Sequence, residues 1–230
     1  MLKDYYFNLV NGHIVFGDEN NLILDTGSPF SFHTSGKINL CGEDIPVSTS
    51  ILGVDTDYLS SNVGARIEGL VGMDIINRYP IMVDVPNGHL IIGDDAVYSP
   101  TFESFNLGPV AYGLMAIVML VNNKSVRMVV DTAAPTSYII NESIIADLES
   151  EDEINDFHPF IGNFSSKTYR CDVIPVVNEK PYSQLFGFLQ NALAKTLSIL
   201  NVDGIIGMDL FKRYPIQIKD GKLFLPPQGT

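Results

Sequence analysis

Two aspartates in this sequence sit in matching surroundings. Leu22-Ile23-Leu24-Asp25-Thr26-Gly27-Ser28-Pro29-Phe30-Ser31-Phe32 lines up with Met128-Val129-Val130-Asp131-Thr132-Ala133-Ala134-Pro135-Thr136-Ser137-Tyr138, 106 residues further on. Each carboxylate follows three apolar residues that read as a buried strand, so each leaves a hydrophobic layer where a loop begins. A duplicated fold with a pseudo-two-fold axis can bring both loops to that axis. Two carboxylates about 3 Å apart cannot both ionise cheaply, so they hold one proton between them. The charged member can then take a proton from water while the protonated member polarises a carbonyl. That is hydrolysis without a metal, a cofactor or a covalent intermediate.

The duplication extends beyond the aspartates. Gly69-Leu70-Val71-Gly72-Met73-Asp74-Ile75-Ile76-Asn77-Arg78-Tyr79-Pro80 matches Gly204-Ile205-Ile206-Gly207-Met208-Asp209-Leu210-Phe211-Lys212-Arg213-Tyr214-Pro215, 135 residues on. Seven of these 12 positions are identical and four more are apolar in both, too many for chance likeness between two apolar strands. A weaker third pair joins Ile45-Pro46-Val47 to Ile174-Pro175-Val176. The halves therefore carry the same motifs in the same order, with 29 more residues in the second. The Pro- and Gly-containing stretch from Gly93 to Gly113 marks the join, and the division is placed at residues 1–100 and 101–230.

The elements that must position the aspartates read mainly as strands. Tyr5 to Val10 and His13 to Phe16 form a hairpin around Asn11-Gly12, and Leu114 to Val121 and Ser125 to Val130 form its counterpart around Asn122-Asn123. Asn87-Gly88 and Asp220-Gly221 mark further hairpins. One helix is expected after Ser183, where Leu185, Phe188, Leu189, Ala192, Leu193, Thr196 and Leu197 recur at helical spacing, inside the second-half excess. A second short helix is expected from Asn141 to about Glu149, followed by a solvated acidic loop, Glu149 to Asp156. In each repeat Asp74 and Asp209 are expected to cap the helical turn that follows, Arg78 and Arg213 to make structural hydrogen bonds nearby, and Tyr79 and Tyr214 to join the core.

Leu24-Asp25-Thr26-Gly27-Ser28 resembles the active-site signature of aspartic peptidases of the pepsin and retropepsin clan, and Val130-Asp131-Thr132-Ala133-Ala134 resembles its second copy. Leu70-Val71-Gly72 and Ile205-Ile206-Gly207 are similar to the clan's hydrophobic-hydrophobic-Gly element. The likeness runs roughly from Tyr5 to Leu225. It implies an all-β, two-lobed, pepsin/retropepsin-like acid protease fold with internal duplication and few short helices. It further implies an aspartic endopeptidase acting as a monomer on a peptide or protein substrate, without cofactor. Asp25 and Asp131 would be the dyad. Thr26 and Thr132 would hydrogen-bond across the axis through their hydroxyls. Gly27 would let substrate backbone approach, Ser28 would bond the outer oxygen of Asp25, and Gly72 and Gly207 would pack behind the loops.

Two departures from that pattern support a competing expectation, an inactive module that binds a peptide or partner protein in the same cleft. Ala133, followed by Ala134, stands where a second glycine belongs. Only 47 residues separate Asp25 from Gly72, and the hairpin from Lys37 to Val47 begins too soon after Asp25 to close over a substrate. Tyr58 is the nearest first-half residue for that task, and Asp156 to Thr168 in the longer second half is the alternative source.

Composition narrows the rest. The 230 residues carry 27 acidic and 14 basic side chains, a formal charge of −13 that disfavours nucleic acid. No apolar run is long enough for a membrane-spanning helix, and the start shows no apolar leader, which favours a cytoplasmic location. Cys41 and Cys171 are expected as free thiols. His13, His33, His89 and His158 are scattered without metal spacing, and Asp55-Thr56-Asp57 lacks the glycine and terminal Glu of a calcium loop.

Overall fold

The computed structural model describes residues 3–17, 21–93, 101–175 and 180–227. Part of the expected join, residues 94–100, and Val176 of the weakest repeat lie outside the described residues. Among the described residues the chain is built from strands in two large sheets and one small one, with four short helices. This is an all-β, two-lobed and internally duplicated fold.

The duplication is visible as topology. In the first half the strand Leu22–Leu24 runs parallel to Gly69–Val71, which also pairs antiparallel with Phe32–His33. In the second half Lys124–Val130 runs parallel to Gly204–Ile206, which pairs antiparallel with Ser137–Ile139. The strand before each Asp and the strand after its loop thus flank a third strand. That strand is an apolar run buried on both faces, as a central strand must be. The two repeats also pair with each other. Ile81–Asp84 lies antiparallel to Ile216–Lys219, with Met82 opposite Gln217, residues that are equivalent in the two repeats. Their hairpins continue outward on both sides, through His89–Ile92 to Lys3–Val10 and through Lys222–Leu225 to Glu103–Asn106. One ten-stranded sheet therefore contains strands from both halves.

The main apolar core spans both halves, from Phe16, Leu24 and Val71 to Val130, Ile206 and Phe211. Each half adds a smaller cluster beneath its own helix: Val15, Phe32, Leu59 and Val63 in the first, Val129, Tyr138, Leu197 and Ile205 in the second. The expected hairpins are present, and their turns use left-handed residues, Asn11 (φ 48°) and Gly12 (φ 87°), Asn122 (φ 49°) and Asn123 (φ 60°).

The helix expectations need correction. Tyr182–Phe188 is a strand, buried alternately through Tyr182, Gln184 and Phe186; the helix is Ala192–Ile199, and Asn191 rather than Ser183 caps it. That helix is no part of the excess, because the first half has its counterpart, Thr56–Val63, just before its own Gly-containing strand. Asp55, in the segment weighed as a calcium loop, caps this helix by accepting the Tyr58 N–H at 2.9 Å. From Asn141 the chain makes only a short 3-10 turn, Glu142–Ile144. The expected acidic loop turns into strand at Glu153. The excess belongs mainly to the long hairpin of Glu153–His158 and Gly162–Ile174. No helix among the described residues is long and apolar enough to cross a membrane.

Candidate active site

The two parallel strand pairs end at the two aspartates. Asp25 N–H donates to Val71 C=O and Asp131 N–H to Ile206 C=O, each at 3.0 Å, so both residues leave the sheet at equivalent points. The loops then lock together. Thr26 Oγ1 donates to Val130 C=O at 2.8 Å and accepts the Thr132 N–H at 3.0 Å. Thr132 Oγ1 donates to Leu24 C=O at 2.8 Å and accepts the Thr26 N–H at 3.0 Å. Both threonines are buried, so these four bonds are shielded from water.

Over this lock the second carboxylate reaches the first loop. A methyl added to Gly27 would fall 2.2 Å from Asp131 Oδ2, so the second carboxylate rests against the bare backbone of the first loop. Gly27 is required here by the partner aspartate itself. Its counterpart, Ala133, carries a methyl, so the two loops are not equivalent at this point.

Asp25 Oδ1 accepts the Gly27 N–H at 2.9 Å. Asp131 Oδ1 accepts the N–H groups of Ala133 at 2.8 Å and Ala134 at 3.1 Å. Burial first, and then the charge of Asp131, push the Asp25 carboxyl well above the usual carboxylate range, against the opposing pull of the Gly27 and Ser28 N–H groups. Burial pushes Asp131 up to about 6, with the Asp156 charge adding to the rise and the Ala133 and Ala134 N–H groups opposing it. Both carboxyls are thus held above the usual carboxylate range, and they titrate as a pair.

A further layer secures each loop. Gly72 N–H donates to Ser31 Oγ at 2.8 Å, and Gly207 N–H to Ser137 Oγ at 3.0 Å. Ser31 Oγ donates in turn to Asp74, and Ser137 Oγ to Asp209. Asp74 and Asp209 therefore reach back to the Asp-Thr loops and do not cap their own helical turns; neither turn has a side-chain cap. A methyl on Gly72 would strike Phe30 C=O at 2.6 Å, and one on Gly207 would strike Ala134 C=O at 2.4 Å, which places both glycines directly behind the loops. Ser28 departs from expectation. Its hydroxyl donates to Phe30 C=O at 2.9 Å, and it is the Ser28 N–H that faces Asp25. Arg78 Nε bonds Asp74 C=O at 3.0 Å, and Arg213 stacks over the Tyr182 ring at 3.9 Å. Cys41 and Cys171 are buried thiols that form no disulfide.

The aspartates form the floor of a cleft of about 1050 Å³. Phe30, Leu52, Tyr112 and Phe160 line it while remaining largely exposed, at 47%, 86%, 74% and 55%. One wall comes from the second-half hairpin, Asp156 to Phe160. It crosses to the first half, where Phe157 packs on the apolar cluster and its ring lies 5.8 Å from that of Tyr58 on the Thr56–Val63 helix. Of the Lys37 to Val47 hairpin, only its end, Pro46 and Val47, lines the cleft.

Three lining residues, Asp156, His13 and His158, had no site role of their own in the sequence reading. Asp156 accepts the Tyr138 hydroxyl on Oδ2 and the Phe157 N–H on Oδ1. His13 faces the same place, with its Nδ1 buried and unpartnered. Burial holds His13 and His158 below the usual imidazole range although the Asp156 charge pulls both upward. One signal was available, since Tyr138 replaces Phe32 between the repeats and its added hydroxyl is what anchors Asp156. Among the described residues, no three His, Cys, Asp or Glu side chains gather as metal ligands.

No family model and no curated protein matches the sequence. Among solved structures, the chain is similar to a retropepsin-like aspartic protease from Rickettsia conorii, at 17% identity and a TM-score of 0.36, over 54% of this chain and 90% of that one.

Proposed function

We propose that this protein is an aspartic endopeptidase, with its first lobe in residues 1–100, its second in 101–230, and both halves of one active site supplied by a single monomeric chain. The observation that carries this reading is the convergence of Asp25 and Asp131 over a reciprocal threonine lock, with Asp131 seated on Gly27. Water between the carboxylates loses a proton to Asp131 as its oxygen bonds the peptide carbonyl carbon, and Asp25 gives its proton to the carbonyl oxygen. The resulting gem-diol collapses when Asp131 passes its proton to the nitrogen, the C–N bond breaks, and a diol O–H returns its proton to Asp25. The products are a carboxylic acid and an amine. The second-half hairpin closes over the substrate in this reading, because it already spans the cleft.

Ala133 favours a second reading, a non-catalytic module that binds peptide in the same cleft. Its methyl occupies the position where the first loop has only hydrogen. The test is cleavage of a diverse peptide library across acidic to neutral pH, together with binding of a statine-type transition-state mimic. The peptidase reading expects cleavage that is lost in both Asp25→Asn and Asp131→Asn, with the fold retained. Turnover persisting in both variants rejects the mechanism. Absence of cleavage that is restored by Ala133→Gly assigns the wild-type chain to the binding module.

A further inference from the structure

Four aspartates border the cleft, Asp25, Asp74, Asp131 and Asp156, and among the described residues no Lys, Arg or Glu does. Three of the four are accounted for: Asp25 and Asp131 by each other and the loop N–H groups, Asp74 by Ser31. Asp156 is different. It stands on the hairpin that crosses the cleft, half-buried, and both its oxygens are oriented, Oδ2 by the Tyr138 hydroxyl and Oδ1 by the Phe157 N–H at 2.7 Å. A carboxylate offers about four acceptor sites, so about two remain open. Among the described residues no Lys or Arg pairs with it. The titratable groups that face it are His13, His158, Tyr138 and Asp131. None of these is a cation near neutral pH, since burial keeps both imidazoles neutral. A half-buried carboxylate with open acceptor sites and no Lys or Arg beside it has room for a cation's donors.

We infer that Asp156 sets specificity: a peptide in the cleft lays a Lys or Arg side chain against the Asp156 carboxylate, with apolar side chains on the rim of Phe30, Leu52, Tyr112 and Phe160. This rests on the reading of the cleft as a peptide site. The exposed apolar rim surrounds a charged pocket, which suits a basic residue flanked by apolar ones. The formal charge of −13 attracts basic peptides over a longer range.

The test uses the whole chain near neutral pH and reduced-amide hexapeptides, which cannot be cleaved, with apolar flanks. Each pair differs only in Lys against norleucine at one position, and binding is read by fluorescence anisotropy. At one position the Lys peptide is expected to bind tighter by on the order of 10-fold or more. That ratio falls towards one in Asp156→Asn, whose amide oxygen can still accept a hydrogen bond. In the unaltered chain the ratio also shrinks with added salt, a readout independent of whether the variant folds. Lys peptides binding nowhere better than norleucine peptides, no binding by either, or a ratio insensitive to both the variant and salt overturns the inference. Cleavage of the matching amide peptides is scored separately. Lys preference without cleavage removes the hydrolase and leaves Asp156 as the selector; cleavage without Lys preference does the reverse.

Discussion

Replacing Thr132 with valine removes two of the four hydrogen bonds in the lock while keeping the side chain's shape. The Thr26 N–H loses its acceptor at 3.0 Å and the Leu24 C=O its donor at 2.8 Å, and both lie at a buried junction that water does not enter. A buried polar group left without a partner costs about 1–3 kcal/mol, so the pair costs about 2–5 kcal/mol after valine's apolar gain is set against it. In a chain of this size each kcal/mol lowers the melting temperature by about 2–4 °C, which gives a fall of about 4–20 °C. Thr132→Ser is the control: it keeps the hydroxyl, loses one methyl and costs about 1 kcal/mol. Urea unfolding followed by circular dichroism measures both, with an unchanged slope required for the comparison. Thr26→Val removes the other two bonds of the same network, so the double variant departs from the sum of the singles. A valine variant within about 1 kcal/mol of wild type, or no worse than the serine control, would refute the lock as the element that holds the two halves of the site together.

Gly27→Ala places a methyl where Asp131 Oδ2 now sits, at 2.2 Å, so it displaces that carboxylate and costs about 1–3 kcal/mol in urea unfolding; unchanged stability contradicts the contact. Asp131 has a folded-state pKa raised to about 6 by burial, so the folded chain binds the extra proton and stability falls as pH rises from about 4 to about 6. The loss through this group is at most ~3 kcal/mol, and Asp131→Asn should flatten that part of the stability profile; an unaltered profile contradicts the shift. Phe157→Ala removes the ring that joins the second-half hairpin to Tyr58, and amide exchange should quicken across Glu153–Ile174 while the central strands keep their protection. Uniform loss of protection would show that the hairpin is no separate unit.

The frame of the site was legible in the sequence because the chain repeats itself. Asp25, Thr26, Gly72 and their counterparts are spaced by short segments whose strand character is plain from three-residue apolar runs. Residues 182–199 misled because two periods overlap there: Leu185, Phe188 and Leu189 fit a helix, whereas Tyr182, Gln184 and Phe186 alternate as a strand, and sheet pairing with Gly162–Ile174 prevailed. The Thr56–Val63 helix was missed because only Thr56, Leu59 and Val63 are buried along it, too few for a clear stripe. Ser31 and Ser137 stood in the repeat, yet their bonds to Asp74 and Asp209 bridge 43 and 72 residues and leave no local trace. Asp156 reads both as the end of an acidic solvated stretch and as the start of a segment that could cover the cleft; the strand pairing with Phe164 and the Tyr138 hydroxyl turn it into the cleft.

The most direct measurement is a carbon-13 NMR titration of the aspartate carboxyls in the intact chain, assigned with Asp25→Asn and Asp131→Asn. Asp25 should retain its proton well above the ordinary carboxylate range, and Asp131 should titrate near about 6 and move when Asp25 is replaced. Two independent carboxyls each titrating near about 4 would mean that no proton is shared and would end the hydrolytic account.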